Sequence, residues 1–181
     1  MKLATISILL LAILPLSTAK FSWGWCPKVP YQEKFDASKY MGRWYKLVRT
    51  TDFPYNKGTC GLAEYSLTPE AKLDIFNAEL VGNEWKTEPA KGYCDEGVGH
   101  CYASYYGSPY IDFYVLKTDY DNFAVVYTCS NWGLFHWTYG WVLTRDKNYS
   151  DLNEYIDLLD RSGVTKDYLF QEDQSTCPEY S

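Results

Sequence analysis

The chain has 181 residues, 17 Lys and Arg against 23 Asp and Glu, a net charge of −6, and 18% aromatic residues. An acidic chain repels polyanions, so a nucleic-acid partner is disfavoured. The length suits one domain with a sizeable core, and no internal repeat or low-complexity linker divides it. We therefore expect one folded domain that binds no nucleic acid.

Residues 1–19 have the pattern of a secretory signal peptide. Lys2 precedes an apolar run at 6–14, and the small-residue sequence Ser17-Thr18-Ala19 follows it. The run is shorter than the roughly 20 residues that a membrane-spanning helix needs. We expect a secreted, extracellular domain at 20–181, whose net charge becomes −7 because Lys2 is removed.

All six cysteines follow this segment, and an even number in an oxidising compartment favours three disulfides. A zinc site is disfavoured because Cys94 and Cys101 are too widely spaced and the only histidines are His100 and His136. No metal is expected. The number of cysteines alone leaves fifteen pairings open.

Short runs of β-branched and aromatic residues, separated by Gly, Pro, Asn and Asp, are typical of an antiparallel sheet protein. Eight runs are predicted to be strands: 43–50, 61–67, 72–80, 84–93, 101–106, 110–118, 123–129 and 135–145. Eight strands suit a closed barrel that is wide enough for one small ligand.

The pattern after the last strand predicts one amphipathic helix outside the barrel. Apolar residues recur there at helical spacing, at Leu152, Tyr155, Ile156 and Leu159. Ser150 is the expected N-cap and Gly163 the C-terminal stop. An extended segment at 168–170 then leads to Cys177.

Three separated motifs resemble those of the lipocalin family. They are Gly42-Arg43-Trp44-Tyr45, Thr118-Asp119-Tyr120-Asp121-Asn122-Phe123-Ala124 and Thr144-Arg145-Asp146. Within that family the chain resembles apolipoprotein D and the bilin-binding and insecticyanin-like proteins. The resemblance implies an all-β fold, an eight-stranded antiparallel up-and-down β-barrel with one C-terminal α-helix packed outside.

The resemblance also implies two disulfides, Cys26 to Cys129 and Cys60 to Cys177. Cys94 and Cys101 then remain to pair with each other across a hairpin. The composition of this region is unusual for the family, so we expect it to affect the shape of the barrel mouth and the choice of ligand; the residues concerned are Gly97, Gly99, Tyr102, Tyr105, Tyr106 and Gly107. No additional cysteine stands at 130–133, so a disulfide-linked partner through that segment is not expected.

The motif residues have structural roles in this interpretation. Trp44 and Arg145 are expected to meet at the closed end, where a guanidinium over an indole contributes roughly 0.5 to 2 kcal/mol. The full set of structural motif residues is Gly42, Trp44, Thr118, Asp119, Tyr120 and Arg145.

Side chains alternate across a strand, so Arg145 and Trp44 predict which residues face inward. From Trp44, Lys46 and Val48 are expected to face the interior. The resemblance places Tyr65, Asn77 and Glu79 at ligand contacts. The predicted ligand-binding set is Tyr65, Asn77, Glu79, Trp141, Trp137, Tyr139, Phe113, Val126, Lys46 and Phe135.

These residues could fill a solid core or line a cavity. Small or polar residues at Ala63, Asn77, Thr128 and Lys46 favour a cavity. A buried polar group without a partner costs on the order of 1 to 3 kcal/mol, so a ligand polar group or a trapped water is implied.

The sequence therefore predicts an extracellular carrier of a small hydrophobic ligand, such as a fatty acid, steroid or retinoid. A pigment-binding chromoprotein for a bilin or carotenoid is the alternative. A lipocalin-type isomerase is less favoured, because all cysteines have partners and no Gly-x-Ser-x-Gly motif occurs. No catalytic residue is assigned, and no cofactor is required beyond a bound lipid, bilin or carotenoid.

Three surface features complete the prediction. The loop at 51–58 carries Phe53 and Tyr55 and is a candidate lid, and its aromatics are candidates for contact with a lipoprotein or membrane surface. Asn148 begins an N-glycosylation sequence at a predicted turn. We expect a monomer or a weak homo-oligomer.

Overall fold

The computed structural model describes residues 21–51 and 57–180. The predicted signal peptide, and Phe53 and Tyr55 of the predicted lid, lie outside the described residues. Eight antiparallel strands form a closed barrel because each pairs with the next and the last, Phe135–Thr144, pairs back with the first, Gly42–Thr50. The strands are β2 Gly42–Thr50, β3 Thr59–Leu67, β4 Leu73–Val81, β5 Glu84–Cys94, β6 His100–Tyr105, β7 Ile111–Thr118, β8 Phe123–Trp132 and β9 Phe135–Thr144. The predicted fold class is confirmed.

Shorter elements lie outside the barrel ladder. Strand β1 (Phe21–Trp23) pairs with β9, and β10 (Leu169–Gln171) pairs with β2. Helix α1 (Ala37–Tyr40) precedes β2, and a 3₁₀ turn (Lys166–Tyr168) precedes β10.

Helix α2 (Asn153–Arg161) packs on the outside of the barrel, with Tyr155 and Leu159 buried. The predicted Ser150 cap is wrong. Leu152 is the N-cap and makes no side-chain capping bond, while the Ser150 carbonyl accepts a bond from the Leu152 amide. Gly163 follows the helix with φ +97°, a conformation that glycine adopts without steric cost.

The apolar residues form two cores. One fills the closed end and interior of the barrel around Trp44, and the other lies between the barrel wall and α2. Val48 belongs to the outer core with Val142 and Leu159, so its predicted inward orientation is wrong. The pairing of β2 with β9 shifts register between Lys46 and Val48, and such a bulge reverses the alternation of side chains.

Arg145 closes one end of the barrel. Its guanidinium carbon lies 3.5 Å from the centre of the Trp44 ring. The same group donates hydrogen bonds to the carbonyls of Arg43 (2.7 Å), Met41 (2.8 Å) and Tyr120 (3.1 Å). A guanidinium has five fixed N–H donors, so one side chain holds the start of β2 and the turn after β7 together.

Gly42 makes this approach possible. Its φ is +95°, and a Cβ at this position would lie 3.3 Å from Arg145 Nη1. The turn that Arg145 contacts is fixed by Thr118, whose hydroxyl donates to the Phe123 carbonyl (2.6 Å). The Asp119 carboxylate accepts from the amides of Asn122 (2.8 Å) and Phe123 (3.0 Å). The sequence motifs thus converge at the closed end.

The turn between Cys94 and Cys101 lies at the closed end, so this part of the region does not shape the mouth, whereas the turn after β6, at Tyr106 and Gly107, lies at the open end. The Phe35 amide donates to the Gly97 carbonyl (2.9 Å), and Cys101 packs in the same core as Phe35 and Trp44. Strands β5 and β6 run respectively towards and away from the closed end, so their connection must lie there.

Three disulfides link Cys26 to Cys129, Cys60 to Cys177 and Cys94 to Cys101. These are the pairs that the resemblance implies, and no free cysteine remains. The Cys60–Cys177 bond joins residues 117 apart and holds the C-terminal segment against β3.

Replacing Cys60 and Cys177 together by serine should lower the free energy of unfolding by about 2 to 5 kcal/mol, because a long loop is no longer closed in the unfolded chain. Thermal unfolding followed by circular dichroism measures this. An unchanged Tm would contradict the assigned bond.

Replacing Arg145 by Lys should destabilise the fold by about 1 to 3 kcal/mol, since one ammonium cannot reach the several carbonyls that the guanidinium contacts. Urea unfolding compares the variant with an Arg161→Lys control on exposed α2. Equal effects of the two substitutions would show that Arg145 does not hold the closed end.

Candidate functional site

A cavity of about 70 Å³ lies inside the barrel, which is room for several water molecules. Its wall is mainly apolar and aromatic, with a few polar groups. The lining residues are Lys46, Ala63, Tyr65, Ile75, Asn77, Glu88, Ala103, Tyr105, Ile111, Phe113, Val126, Thr128, Trp141 and Leu143. An apolar concavity with a small number of polar groups is the usual form of a small-molecule site.

The structure brings six of the ten residues of the predicted ligand-binding set to this wall: Lys46, Tyr65, Asn77, Phe113, Val126 and Trp141. Alternation along the strands positions them, with Val126 on β8 directly opposite Trp141 on β9. Leu143 pairs with Lys46 across the β2–β9 seam.

The other four predicted residues do not line this cavity. Tyr139 is buried opposite Thr128, one inward step from Trp141 towards the mouth. Phe135 lies further on, opposite Trp23 and Trp132. Glu79 accepts a hydrogen bond from the Lys57 amide (2.9 Å), at the base of the loop between β2 and β3.

Trp137, the fourth, is paired with Ser130 and Phe21. Its indole Nε1 is buried and makes no hydrogen bond in the described part of the structure. Alternation therefore predicted the face of β9 on which these residues lie but not how far along the strand the cavity extends.

Glu88, Ala103 and Tyr105 belong to the wall but were not predicted. Ala103 and Tyr105 follow the buried Cys101 at steps of two along β6. Glu88 is paired with Asn77. Alternation gives Ala103 and Tyr105 only once Cys101 is known to face inward, and Glu88 follows from its pairing with Asn77.

Lys46 is the cation of the cavity wall, and its residue is only 8% exposed. Burial lowers the pKa of its ammonium to about 8, opposed by the negative charge of Glu79. Lys46 makes no side-chain hydrogen bond, and no ion pair within 4 Å, with any residue at 21–51 or 57–180.

Neighbouring residues determine where the Lys46 side chain lies. Gly61 on β3 has no side chain, and a Cβ there would lie 3.2 Å from Lys46 Cδ and 3.4 Å from its Cβ. The Gln174 amide donates to the carbonyls of both Lys46 (2.9 Å) and Gly61 (2.7 Å). The lysine stem therefore lies over a glycine that the C-terminal segment fixes in place.

Other polar groups of the wall are weakly engaged. The Asn77 side-chain amide makes one long contact, 3.4 Å, to the Glu88 carbonyl. Burial raises the pKa of the Tyr65 phenol, which therefore stays neutral at physiological pH. The cavity thus offers a cation, an amide and a phenol within apolar walls, and the wall also includes Glu88, whose carboxylate accepts from the Tyr106 hydroxyl.

At the open end, exposed apolar side chains form a mouth patch, defined as Trp23, Trp25, Trp132 and Leu134. Each is at least 64% exposed. They lie close together because β1 pairs with the start of β9, the Gly24 amide donates to the Leu134 carbonyl (2.8 Å), and Cys26 is bonded to Cys129.

Residues 41–176 match the profile of the lipocalin / cytosolic fatty-acid binding protein family. The chain belongs to the lipocalins. Apolipoprotein D of Cavia porcellus is 33% identical over 168 residues, covering 88% of each chain. Bilin-binding protein of Pieris brassicae is 32% identical over 149 residues, covering 77% of this chain and 78% of the relative.

The fold also matches that of insecticyanin from the tobacco hornworm Manduca sexta, with a TM-score of 0.72. The two chains are 21% identical, and the match covers 86% of this lipocalin and 89% of insecticyanin. The resemblance read from the three motifs is therefore confirmed at the level of the family.

Within residues 21–51 and 57–180, no group of three or more His, Cys, Asp or Glu side chains could hold a metal ion. No helix among those residues is long and apolar enough to cross a bilayer.

Replacing Trp141 by Ala should weaken binding of a hydrophobic probe about tenfold, because roughly 1.4 kcal/mol of aromatic contact is lost. The protein should remain folded, since Trp141 is only partly buried and lines the cavity. Titration with retinol, with Trp132→Ala as an exposed control, measures the effect. Unfolding of the Trp141 variant would instead make this residue part of the core.

Proposed function

We propose that this lipocalin is an extracellular carrier of a small hydrophobic molecule, such as a fatty acid, steroid or retinoid. The observation that carries the proposal is the cavity with apolar walls and the unpaired Lys46. A solid core would place methyl groups where Lys46 and Asn77 stand, because unpaired polar groups are costly to bury.

The ligand contacts proposed are the ten residues of the predicted set. Tyr65, Phe113, Val126 and Trp141 supply apolar surface, while Lys46 and Asn77 supply polar contacts. Tyr139, Trp137, Phe135 and Glu79 would contact a ligand that extends from the cavity towards the mouth. The buried Trp137 N–H is a donor that such a ligand could satisfy.

A carrier is favoured over an isomerase. The enzyme alternative needs a free inward thiol as its nucleophile. All six cysteines are consumed in disulfides, so no thiolate is available for this chemistry. The proposal therefore assigns no catalytic residue.

A pigment carrier is the second candidate, for a bilin or carotenoid. It is supported by the similarity to a protein named for binding bilin, and by the flat aromatic faces of Trp141, Phe113 and Tyr65 in the wall. Any pigment would be held without a thioether bond, because no cysteine is free.

Secretion is part of the proposal. It rests on the signal-like residues 1–19 and on three disulfides, which persist in oxidising compartments. Asn148 lies exposed in the turn after β9, and Ser150 is not engaged as a helix cap, so the acceptor sequence is accessible. We include glycosylation at Asn148 in the proposal.

The proposed partner at the mouth is a lipid surface, either a membrane or a lipoprotein. Contiguous exposed apolar side chains are uncommon on soluble monomers and mark interaction sites. Tryptophan prefers the boundary between water and lipid, and three of the four residues of the mouth patch are tryptophans. In this proposal the protein is a monomer or weak homo-oligomer that loads cargo through its mouth.

Native mass spectrometry of protein purified from its own source without organic solvent tests the carrier function. The expected result is a bound mass of a few hundred daltons. Visible absorbance of the same sample would identify a pigment, and a colourless complex would favour a lipid. An empty protein that also binds no hydrophobic probe would refute the carrier function.

Replacing Trp23, Trp132 and Leu134 together by Ser should reduce co-flotation with phosphatidylcholine vesicles several-fold, because apolar contact with the lipid is lost. Tyr93→Ser, an exposed aromatic on β5, is the control and should float like the wild type. Equal flotation of all three proteins would remove the mouth patch from the proposal.

A further inference from the structure

We propose that the cargo of this lipocalin is a lipid acid, whose ionised carboxylate binds the ammonium of Lys46 inside the barrel. The proposal rests on the carrier function and narrows it from hydrophobic molecules in general to amphipathic acids. Four observations carry it: the burial of Lys46, the lack of an ion pair, the cradle around its stem and the apolar surroundings.

The first two observations concern the buried charge of Lys46. Lys46 is 92% buried, since 8% of the residue is exposed. A buried ammonium costs several kcal/mol unless an anion compensates it, and buried lysines are normally paired. No described carboxylate pairs with Lys46 within 4 Å, so its ammonium makes no direct ion pair inside the cavity.

Glu79 and Glu172 favour the charged form of Lys46 electrostatically, but neither carboxylate forms an ion pair with its ammonium within 4 Å. Glu79 on β4 is engaged by the Lys57 amide, and Glu172 accepts from the Cys60 amide (2.5 Å) and faces Arg49 (3.9 Å). Glu88 on β5 accepts from the Tyr106 hydroxyl. A carboxylate from the ligand would supply what these groups do not.

The third observation is that the site is built around the lysine. Gly61 leaves the space along which the stem lies, and Gln174 fixes the backbone of both residues. A side chain at position 61 would press on the Lys46 stem, so the glycine there lets the methylenes lie along the barrel wall.

The fourth observation is the rest of the wall. Beyond Lys46 the cavity presents Leu143, Phe113, Val126 and Trp141, which suit a hydrocarbon chain or ring system. An anion that lacked an apolar body would lose its hydration without compensation. A carboxylic acid whose apolar tail extends from this cavity towards the mouth would satisfy both the cation and the apolar wall.

The ionisation of Lys46 gives the proposal a pH signature. Burial lowers the pKa of this group to about 8 in the free protein. It is then about 90% protonated at pH 7 and about 10% protonated at pH 9. The affinity for an acid should therefore fall about tenfold between these pH values, while the affinity for a neutral analogue should not fall.

The test compares dodecanoic acid with 1-dodecanol, which differ in the head group and share the tail. Each displaces the neutral fluorophore N-phenyl-1-naphthylamine from the full mature protein at pH 7 and pH 9. We expect the acid to bind at least tenfold more tightly than the alcohol at pH 7, and to lose about tenfold in affinity at pH 9.

Lys46→Met should abolish the preference for the acid and its pH dependence while preserving binding of the alcohol. Lys91→Met removes a surface charge that pairs with Asp74 and is the matched control, with wild-type behaviour expected. If the Lys46 variant fails to fold, the comparison of acid and alcohol at pH 7 and pH 9 on the wild-type protein still tests the proposal.

Equal affinity for acid and alcohol at both pH values would overturn the proposal and leave the carrier function intact. An acid preference that survives in folded Lys46→Met would also overturn it, since another group would then bind the carboxylate. Failure of the fluorophore and both ligands to bind would refute the carrier function itself.

Discussion

The stacking of Arg145 on Trp44 is the constraint on which the rest of the barrel depends. The guanidinium lies over the indole at 3.5 Å and satisfies carbonyls from the segment before β2, from β2 itself and from the turn after β7. These segments are distant in sequence. By bonding to all of them, the Arg145 side chain holds them together and closes the end of the barrel. The two residues also fix which side chains of β2 and β9 face inward, and so which of them reach the cavity.

The C-terminal segment completes the barrel where the strand ladder is irregular. Strands β2 and β3 pair regularly only from Gly42 to Tyr45, and the β2–β9 ladder shifts after Lys46. Gln174 then bridges the carbonyls of Lys46 and Gly61, and the disulfide at Cys177 holds this segment in place. The outer C-terminal segment therefore determines the geometry of an inner site.

Much of the fold could be predicted, because alternation, turn residues and motifs all indicate the same eight strands. The errors have physical causes. A bulge adds a residue between Lys46 and Val48, and since Leu47 and Val48 are both apolar, the alternating pattern gives no sign of it. For the site, alternation identified Lys46 and Trp141 as inward-facing, but it did not show how far along β9 the cavity extends. No motif residue lies on β6 to show which of its side chains face inward, so Ala103 and Tyr105 were left unassigned.

The selectivity of the proposed site follows from the limits of apolar contact. One methylene more or less in a hydrophobic pocket changes affinity by only about 1 to 3 kcal/mol, so an aromatic wall alone separates fatty acids, steroids and retinoids poorly. A buried charge discriminates more strongly, because a neutral ligand would leave Lys46 enclosed without a counter-ion. In the proposed site, the cost of burying this cation in the barrel would therefore be the physical basis of a preference for an acid. A shared apolar mouth would admit many lipids, and Lys46 would decide which of them stay.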